Sequence, residues 1–223
     1  MEDRVEAGRA YSFYREQLSG LSRARIYTRY LTRPEPPQPG KVCLRERQSF
    51  GKEEDSAVLF TENEGWQISF RGARAMPPDM IGRFQDSTLR NIFYILRQRL
   101  GEKELILEFQ STETVDNQPV EIVDITDADN RTVSVAFHRS THLPVRQVYF
   151  RRNPATKQRT EEVTLYSKFR DVGGGVQWPF NILRERDGEK IFEIFSESVT
   201  INQSLTDQLF TLPTDTKILK PLK

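Results

Sequence analysis

Lys190-Ile191-Phe192-Glu193-Ile194-Phe195-Ser196-Glu197-Ser198-Val199-Thr200-Ile201-Asn202 is the stretch whose reading decides the fold. Ile191, Glu193, Phe195, Glu197, Val199 and Ile201 make one row, and Phe192, Ile194, Ser196, Ser198 and Thr200 the other. A period of two held this long excludes a helix and specifies a β-strand. Upstream, Val176–Asp187, Thr160–Val172, Leu143–Arg152 and Arg131–Arg139 alternate in the same way. The breaks between them are turn sequences. Asp187-Gly188 suits a type I′ hairpin, which needs positive φ at both central residues. Asp129-Asn130 and Gly173-Gly174-Gly175 mark two further reversals. An antiparallel meander is therefore the frame.

The totals allow one domain of 223 residues. A chain of this length buries roughly 70–75% of the surface its unfolded form exposes, so it needs no staples. Lys plus Arg number 33 and Asp plus Glu 32, a net +1, which gives no global pull toward nucleic acid or an acidic membrane. Cys43 is the single cysteine, so no internal disulfide forms. No run of 18 apolar residues is present, so no helical membrane span is expected. Met1-Glu2-Asp3-Arg4 is charged from the start. Taken literally that is a cytoplasmic protein; the other reading is an exported one whose leader has been removed.

Ala7, Tyr11, Tyr14, Leu18 and Leu21 fall on one helical stripe, so residues 1–22 are expected to hold an N-terminal helix, Glu2–Ser19, ending at Gly20. Ala24–Thr32 reads as a strand. Pro34, Pro36, Pro37, Pro39 and Gly40 break the pattern, as a loop between two strands of one sheet rather than a domain boundary, the other reading of such a stretch. Val42–Phe50, Ser56–Thr61 and Gly65–Phe70 read as strands. Pro77-Pro78-Asp79 opens a helical stretch, Met80 through Leu100, that Ser87 can divide in two and Gly101 closes. Strands return at Leu105–Gln110 and Val120–Ile125. Residues 214–223 form a tail expected to be partly loose. Strands outnumber amphipathic helices, which fits a sheet carrying helices on one face.

Searches for chemistry come up short. His138 and His142, the only histidines, straddle a strand reversal with no Cys near, so a polar turn is the expected role rather than a metal. Asp124, Asp127 and Asp129 lack the glycine and the distal glutamate of a calcium loop. Gly173-Gly174-Gly175 precedes a strand and no Lys-Ser/Thr follows, so it is not a phosphate loop. No G-x-S-x-G elbow exists. Arg146, Arg151, Arg152, Lys157 and Arg159 gather around the Asn153–Gln158 turn, but Glu161 and Glu162 follow, and a solvated face explains them. What stands out is the aromatic load on long strands within 14 Phe, 7 Tyr and 2 Trp. It serves either a solid core or an apolar pocket.

Thr141-His142-Leu143-Pro144-Val145, Tyr166-Ser167-Lys168-Phe169-Arg170-Asp171, Gly175, Pro179, Ile201-Asn202 and Leu209-Phe210-Thr211-Leu212-Pro213 resemble the C-terminal half of LolA-like outer-membrane lipoprotein-sorting proteins. Gly65-Trp66 after a strand, followed by Pro77 and a helix, also fits. The resemblance spans roughly Ala24 to Pro213. It implies a mainly β (α+β) fold: a strongly curved antiparallel sheet, an unclosed barrel with helices in its concave face, over residues 23–213. It implies an exported, non-catalytic protein of the periplasm or envelope, its leader removed, with no cofactor. The partner implied is a lipid or an acylated protein, held by apolar candidates Trp66, Phe70, Phe84, Phe93, Phe137, Tyr149, Trp178, Phe180 and Phe195. The alternative is an envelope structural or regulatory module of the same fold that binds another protein and holds no ligand.

Overall fold

Strand alternation runs through almost the whole chain in the computed structural model, which describes residues 1–35, 38, 40–152 and 156–220. Among the described residues thirteen strands follow in order. They are β1 (Asp3–Tyr14), β2 (Gln17–Tyr30), β3 (Leu44–Phe50), β4 (Ser56–Phe60), β5 (Gly65–Ser69) and β6 (Gly72–Ala75), then β7 (Ile106–Val115), β8 (Gln118–Thr126), β9 (Thr132–His138), β10 (Pro144–Arg152), β11 (Arg159–Asp171), β12 (Gln177–Arg186) and β13 (Glu189–Ile201). They form one antiparallel sheet, β6-β5-β4-β3-β2-β1-β13-β12-β11-β10-β9-β8-β7. Every neighbour is also a chain neighbour except β1 and β13, so two meanders are joined where the chain's first and last strands pair. β6 and β7 are the end strands, and among the described residues the sheet is not closed.

The last five strands, β9 to β13, sit within a residue or two of the sequence reading, and Asp187-Gly188 takes positive φ at both residues, as a type I′ hairpin requires. The N-terminus does not follow the reading. Residues 2–19 are not a helix; they are β1 and the start of β2, reversing at Arg15-Glu16. Both turn residues have positive φ, at 50° and 61°, without the Gly or Asn that normally signals it. The strand period was also hidden, because the row of β1 facing the helices is polar or small: Arg4, Glu6, Gly8, Ala10. β6, only four residues long, was missed.

Gly8 marks the join between the meanders. The β1–β13 register shifts between Ala7 and Gly8, and a Cβ on Gly8 would lie 2.1 Å from the Phe195 carbonyl oxygen. Backbone cannot yield there as a side-chain tip can. Gly8→Ala is expected to destabilise the fold by about 1–3 kcal/mol, the range for overpacking, read as a lower urea midpoint at unchanged slope.

Between β6 and β7 lie the helices. α1 (Pro78–Arg90) starts on Pro77-Pro78 with Asp79 in its first turn. The break falls at Asn91, not Ser87. Asn91 is extended, and its Oδ1 accepts from Phe93 N and Tyr94 N at 3.0 and 3.2 Å, capping α2 (Ile92–Tyr94). Ile95–Arg99 continues as a wider π-helical turn. Ser87 instead donates to the Phe84 carbonyl within α1.

The helices pack on one sheet face against strands from both meanders. Leu89 and Tyr94 join Val42 and Leu44; Ile92 and Ile95 join Ile125, Val133, Val135, Tyr149 and Tyr166. The opposite face near β3 and β4 is covered by the chain end. Phe210 is 1% exposed, Asp207 receives Arg29 and Arg45 at 2.7 Å each, and Arg47 donates to the Leu209 carbonyl. The tail, expected to be loose, is hydrogen-bonded to β6 through Ala73 N to Lys217 O and Leu219 N to Ala73 O. Pro36, Pro37 and Pro39 of the proline loop, 153–155 of the basic turn and 221–223 of the tail lie outside the described residues.

Candidate functional site

Strand faces decide where the aromatic residues go. Phe60 and Glu46 are register partners, as are Glu46 and Thr28, then Thr28 and Arg4, so these side chains share the helix-bearing face. From the other meander, Tyr149, Glu162, Thr164, Arg184 and Ile182 present to the same side. α1 and α2 lie over this array without filling it. A cavity of about 370 Å³ remains between them and the sheet.

Four of the nine aromatic candidates line it: Phe84, Phe93, Tyr149 and Trp178. Phe84 stacks on Phe60 with centroids 3.8 Å apart. Phe93 stands edge-on to Tyr166 at 5.0 Å and tilts against Trp178 at 4.6 Å. The other five are elsewhere. Trp66 pairs in register with Leu59, on the face opposite Phe60. Phe70 is 84% exposed, in the turn between β5 and β6. Phe137 packs against the core cluster around Ile92, and Phe180 against Trp178 and Val199. Phe195 lies edge-on to Tyr11 at 5.8 Å and under Lys168.

The rest of the wall is more polar than an aromatic count suggests. Arg4, 7% exposed, lies 3.9 Å over the Trp178 ring; its Nη2 donates to Thr28 Oγ1 at 2.9 Å, and its Nε is 3.7 Å from Glu6. Glu6 accepts from Ser196; Glu46 accepts from Thr28 at 3.3 Å and from the Gln48 amide at 2.6 Å. Two buried N–H groups of the wall, Arg4 Nε and Trp178 Nε1, have no hydrogen-bond partner among the described residues. Gln147 joins the helices to the sheet: its Oε1 accepts from Ile92 N at 3.0 Å and from the Tyr166 hydroxyl at 2.8 Å. Nearer the solvent, Glu162 binds Arg151, and Arg186 at 3.0 Å. The sequence reading missed Arg4, Glu6, Thr28 and Glu46 as wall residues. The helical reading of the N-terminus concealed the first two.

The helices are tied down on two sides. Arg99, 2% exposed, donates to Asp127 at 2.9 Å, to Glu102 at 2.8 Å and to the Leu89 carbonyl at 2.6 Å. Arg131 donates to the same Asp127 oxygen at 2.8 Å. On the other side, Arg33 reaches the Gln98 carbonyl and Glu102; Gln98 reaches the carbonyls of Leu31 and Cys43; the Tyr94 hydroxyl accepts from Cys43 N at 2.7 Å. Burial alone would raise the Asp127 carboxyl. Hydrogen bonds from Arg99 and Arg131 outweigh that and hold it below the usual carboxylate range.

Burial raises the Tyr30, Tyr149 and Tyr166 hydroxyls and the Cys43 thiol, and takes Tyr94 to about 12. All stay protonated near neutral pH, so none serves as an activated nucleophile or a ready base. His138 Nδ1 accepts from Ser140 N and Thr141 N, inside its own turn. In the basic group, Arg159 lies 3.5 Å from the Phe150 ring centroid and Arg151 is held by Glu162.

No family model and no curated protein sequence matches the chain. Solved structures do match in fold. An outer membrane lipoprotein-sorting protein domain from Vibrio parahaemolyticus aligns at TM-score 0.60 and 9% identity, over 93% of this chain and 88% of that one. A DUF1329 family protein from Desulfovibrio piger aligns at 0.62 and 13% identity, over 94% and 90%. A LolA superfamily protein from Nitrosomonas europaea aligns at 0.54 and 13% identity, over 94% and 89%. Over nearly its full length, the chain has the fold seen in these proteins.

Proposed function

We propose that this chain is a non-catalytic, envelope-localised protein that holds an acyl chain or similar lipid-like ligand in the cavity beneath α1. The observation that carries the reading is the cavity itself. At about 370 Å³ it falls within the usual range for small-molecule sites, roughly 300–1,000 Å³. Its apolar wall comes from Phe60, Phe84, Phe93, Trp178, Ile182 and Ile194.

A strongly curved, barrel-like sheet belongs to the same reading. β3 and β10 are six strands apart in the sheet, which on a flat array is about 29 Å at 4.8 Å per strand. Yet three-residue α2 touches both flanks, through Tyr94 to Cys43 just before β3 and through Ile92 to Gln147 on β10. A sheet bent round the helices meets both contacts, and the cavity is then the unfilled part of a concave face. The Vibrio protein's description as a lipoprotein-sorting domain supports acyl chains as the ligand class and the envelope as the location.

Ten buried methylenes would contribute about 8 kcal/mol before the entropy of association is subtracted. Affinity weaker than about 1 μM is therefore expected for a simple fatty acid. Displacement of a fluorescent fatty acid by laurate tests the reading, with energy transfer from Trp178 as the signal. Saturable one-to-one binding is expected. Probe uptake that laurate does not displace would sink the proposal.

A second reading, a protein-interaction module, draws on β7. Among the described residues the outer edge of this strand is unpaired, and Ile106, Leu107 and Phe109 on it are exposed. An extended partner segment could add there as a further strand. Co-purification of an envelope protein with an empty cavity would favour it.

A further inference from the structure

The cavity wall is unbalanced in charge. Five arginines, Arg4, Arg83, Arg151, Arg184 and Arg186, face three glutamates, Glu6, Glu46 and Glu162. The glutamates are engaged already, Glu6 by Ser196 and Arg4, Glu46 by Thr28 and Gln48, and Glu162 by Arg151 and Arg186. Arg83 pairs with Asp79 at 3.5 Å. Arg184 is left over. Among the described residues no carboxylate lies within ion-pair distance of it, and its guanidinium sits 5.7 Å from the Phe192 ring centroid.

The position of Arg184 matters as much as its free charge. Ile182, Arg184 and Arg186 follow one another on one face of β12. Ile182 is half-buried and packs toward the core clusters; Arg184 and Arg186 are exposed at the rim. One strand row thus passes from apolar wall to cation as it leaves the interior. Arg4, the cation deep in the wall, is already bonded to Thr28 and covered by the Trp178 ring.

We propose that the ligand is an anionic amphiphile, a carboxylate or phosphate on an acyl chain, with its headgroup on Arg184 and its chain running inward past Ile182 toward Trp178. This rests on the acyl-chain reading above. A charge-assisted hydrogen bond to an arginine strengthens binding by roughly tenfold.

The test compares laurate, dodecyl phosphate and dodecanol, all below their aggregation limits, on the full chain and on Arg184→Gln. Arg184 is exposed and its replacement leaves the core intact. Laurate or dodecyl phosphate is expected to bind about tenfold tighter than dodecanol, and added salt should narrow that gap. Arg184→Gln should remove the preference and leave dodecanol unchanged. The stronger of the two anions identifies the headgroup. Equal binding of anion and alcohol, with no effect of the substitution, overturns the headgroup assignment and leaves the acyl-chain reading standing. Binding of none of the three overturns both. Inorganic phosphate binding as tightly as dodecyl phosphate would overturn the amphiphile class.

Discussion

Asp127→Asn is expected to lower the unfolding free energy by about 3–5 kcal/mol at neutral pH, the range for breaking a buried ion pair from one side. Asp127 is 5% exposed and holds Arg99 and Arg131 with side-chain contacts of 2.9 and 2.8 Å. Asparagine keeps the shape but leaves Arg99, itself 2% exposed, short of a countercharge. Glu102 remains beside Arg99, which places the loss nearer the lower bound. A pH dependence accompanies it. The folded carboxyl lies below its ordinary value of 3.8, so the unfolded chain takes up the proton first as pH falls. The stabilisation is fully present above that value and is lost as pH drops through it toward the folded one. Denaturation series between pH 6 and pH 2.5 should show this component in the wild type and not in Asp127→Asn. Replacing Arg99 by Met and Asp127 by Leu together should be less damaging than either single change, which a double-mutant cycle would measure.

The larger functional effect is expected from Ile182→Trp. Ile182 lines the cavity between Trp178 and Arg184 and is only half-buried. An indole there grows into empty space rather than into packed neighbours. Destabilisation should therefore stay at or below the roughly 1–3 kcal/mol of ordinary overpacking. Fatty-acid affinity, by contrast, should fall at least tenfold, because the chain and the indole compete for the same volume. An unchanged dissociation constant for laurate would place the ligand elsewhere.

The last five strands were legible because β9, β10, β12 and β13 keep the period of two, and the reversals at Asp129-Asn130, Gly173-Gly174-Gly175 and Asp187-Gly188 carry residues that favour positive φ. The first hairpin was not, for two physical reasons. Arg15-Glu16 adopts positive φ without a residue type that favours it. The cavity-facing row of β1 carries Arg4 and Glu6, so the strand lacks the apolar alternation that identifies one. The feature that hid the strand belongs to the cavity wall. Among the aromatic candidates, an inventory of Phe and Trp on strands could not separate one sheet face from the other. Trp66 falls on the tail-covered face for that reason. Phe70 missed any face because its strand ends at Ser69. Lys168, at φ 57°, interrupts β11, so Tyr166 and Phe169 both pack near Phe93 although they are three apart. The helical stretch divides at Asn91 rather than at Ser87 because Asn91 leaves helical geometry and caps the next turn.

Native mass spectrometry of protein exported to a bacterial envelope and purified without detergent tests the cavity most directly. The expected result is a one-to-one adduct with the mass of an acyl lipid, absent from Ile182→Trp. A bare polypeptide mass in both proteins, unchanged after laurate is added, would contradict it.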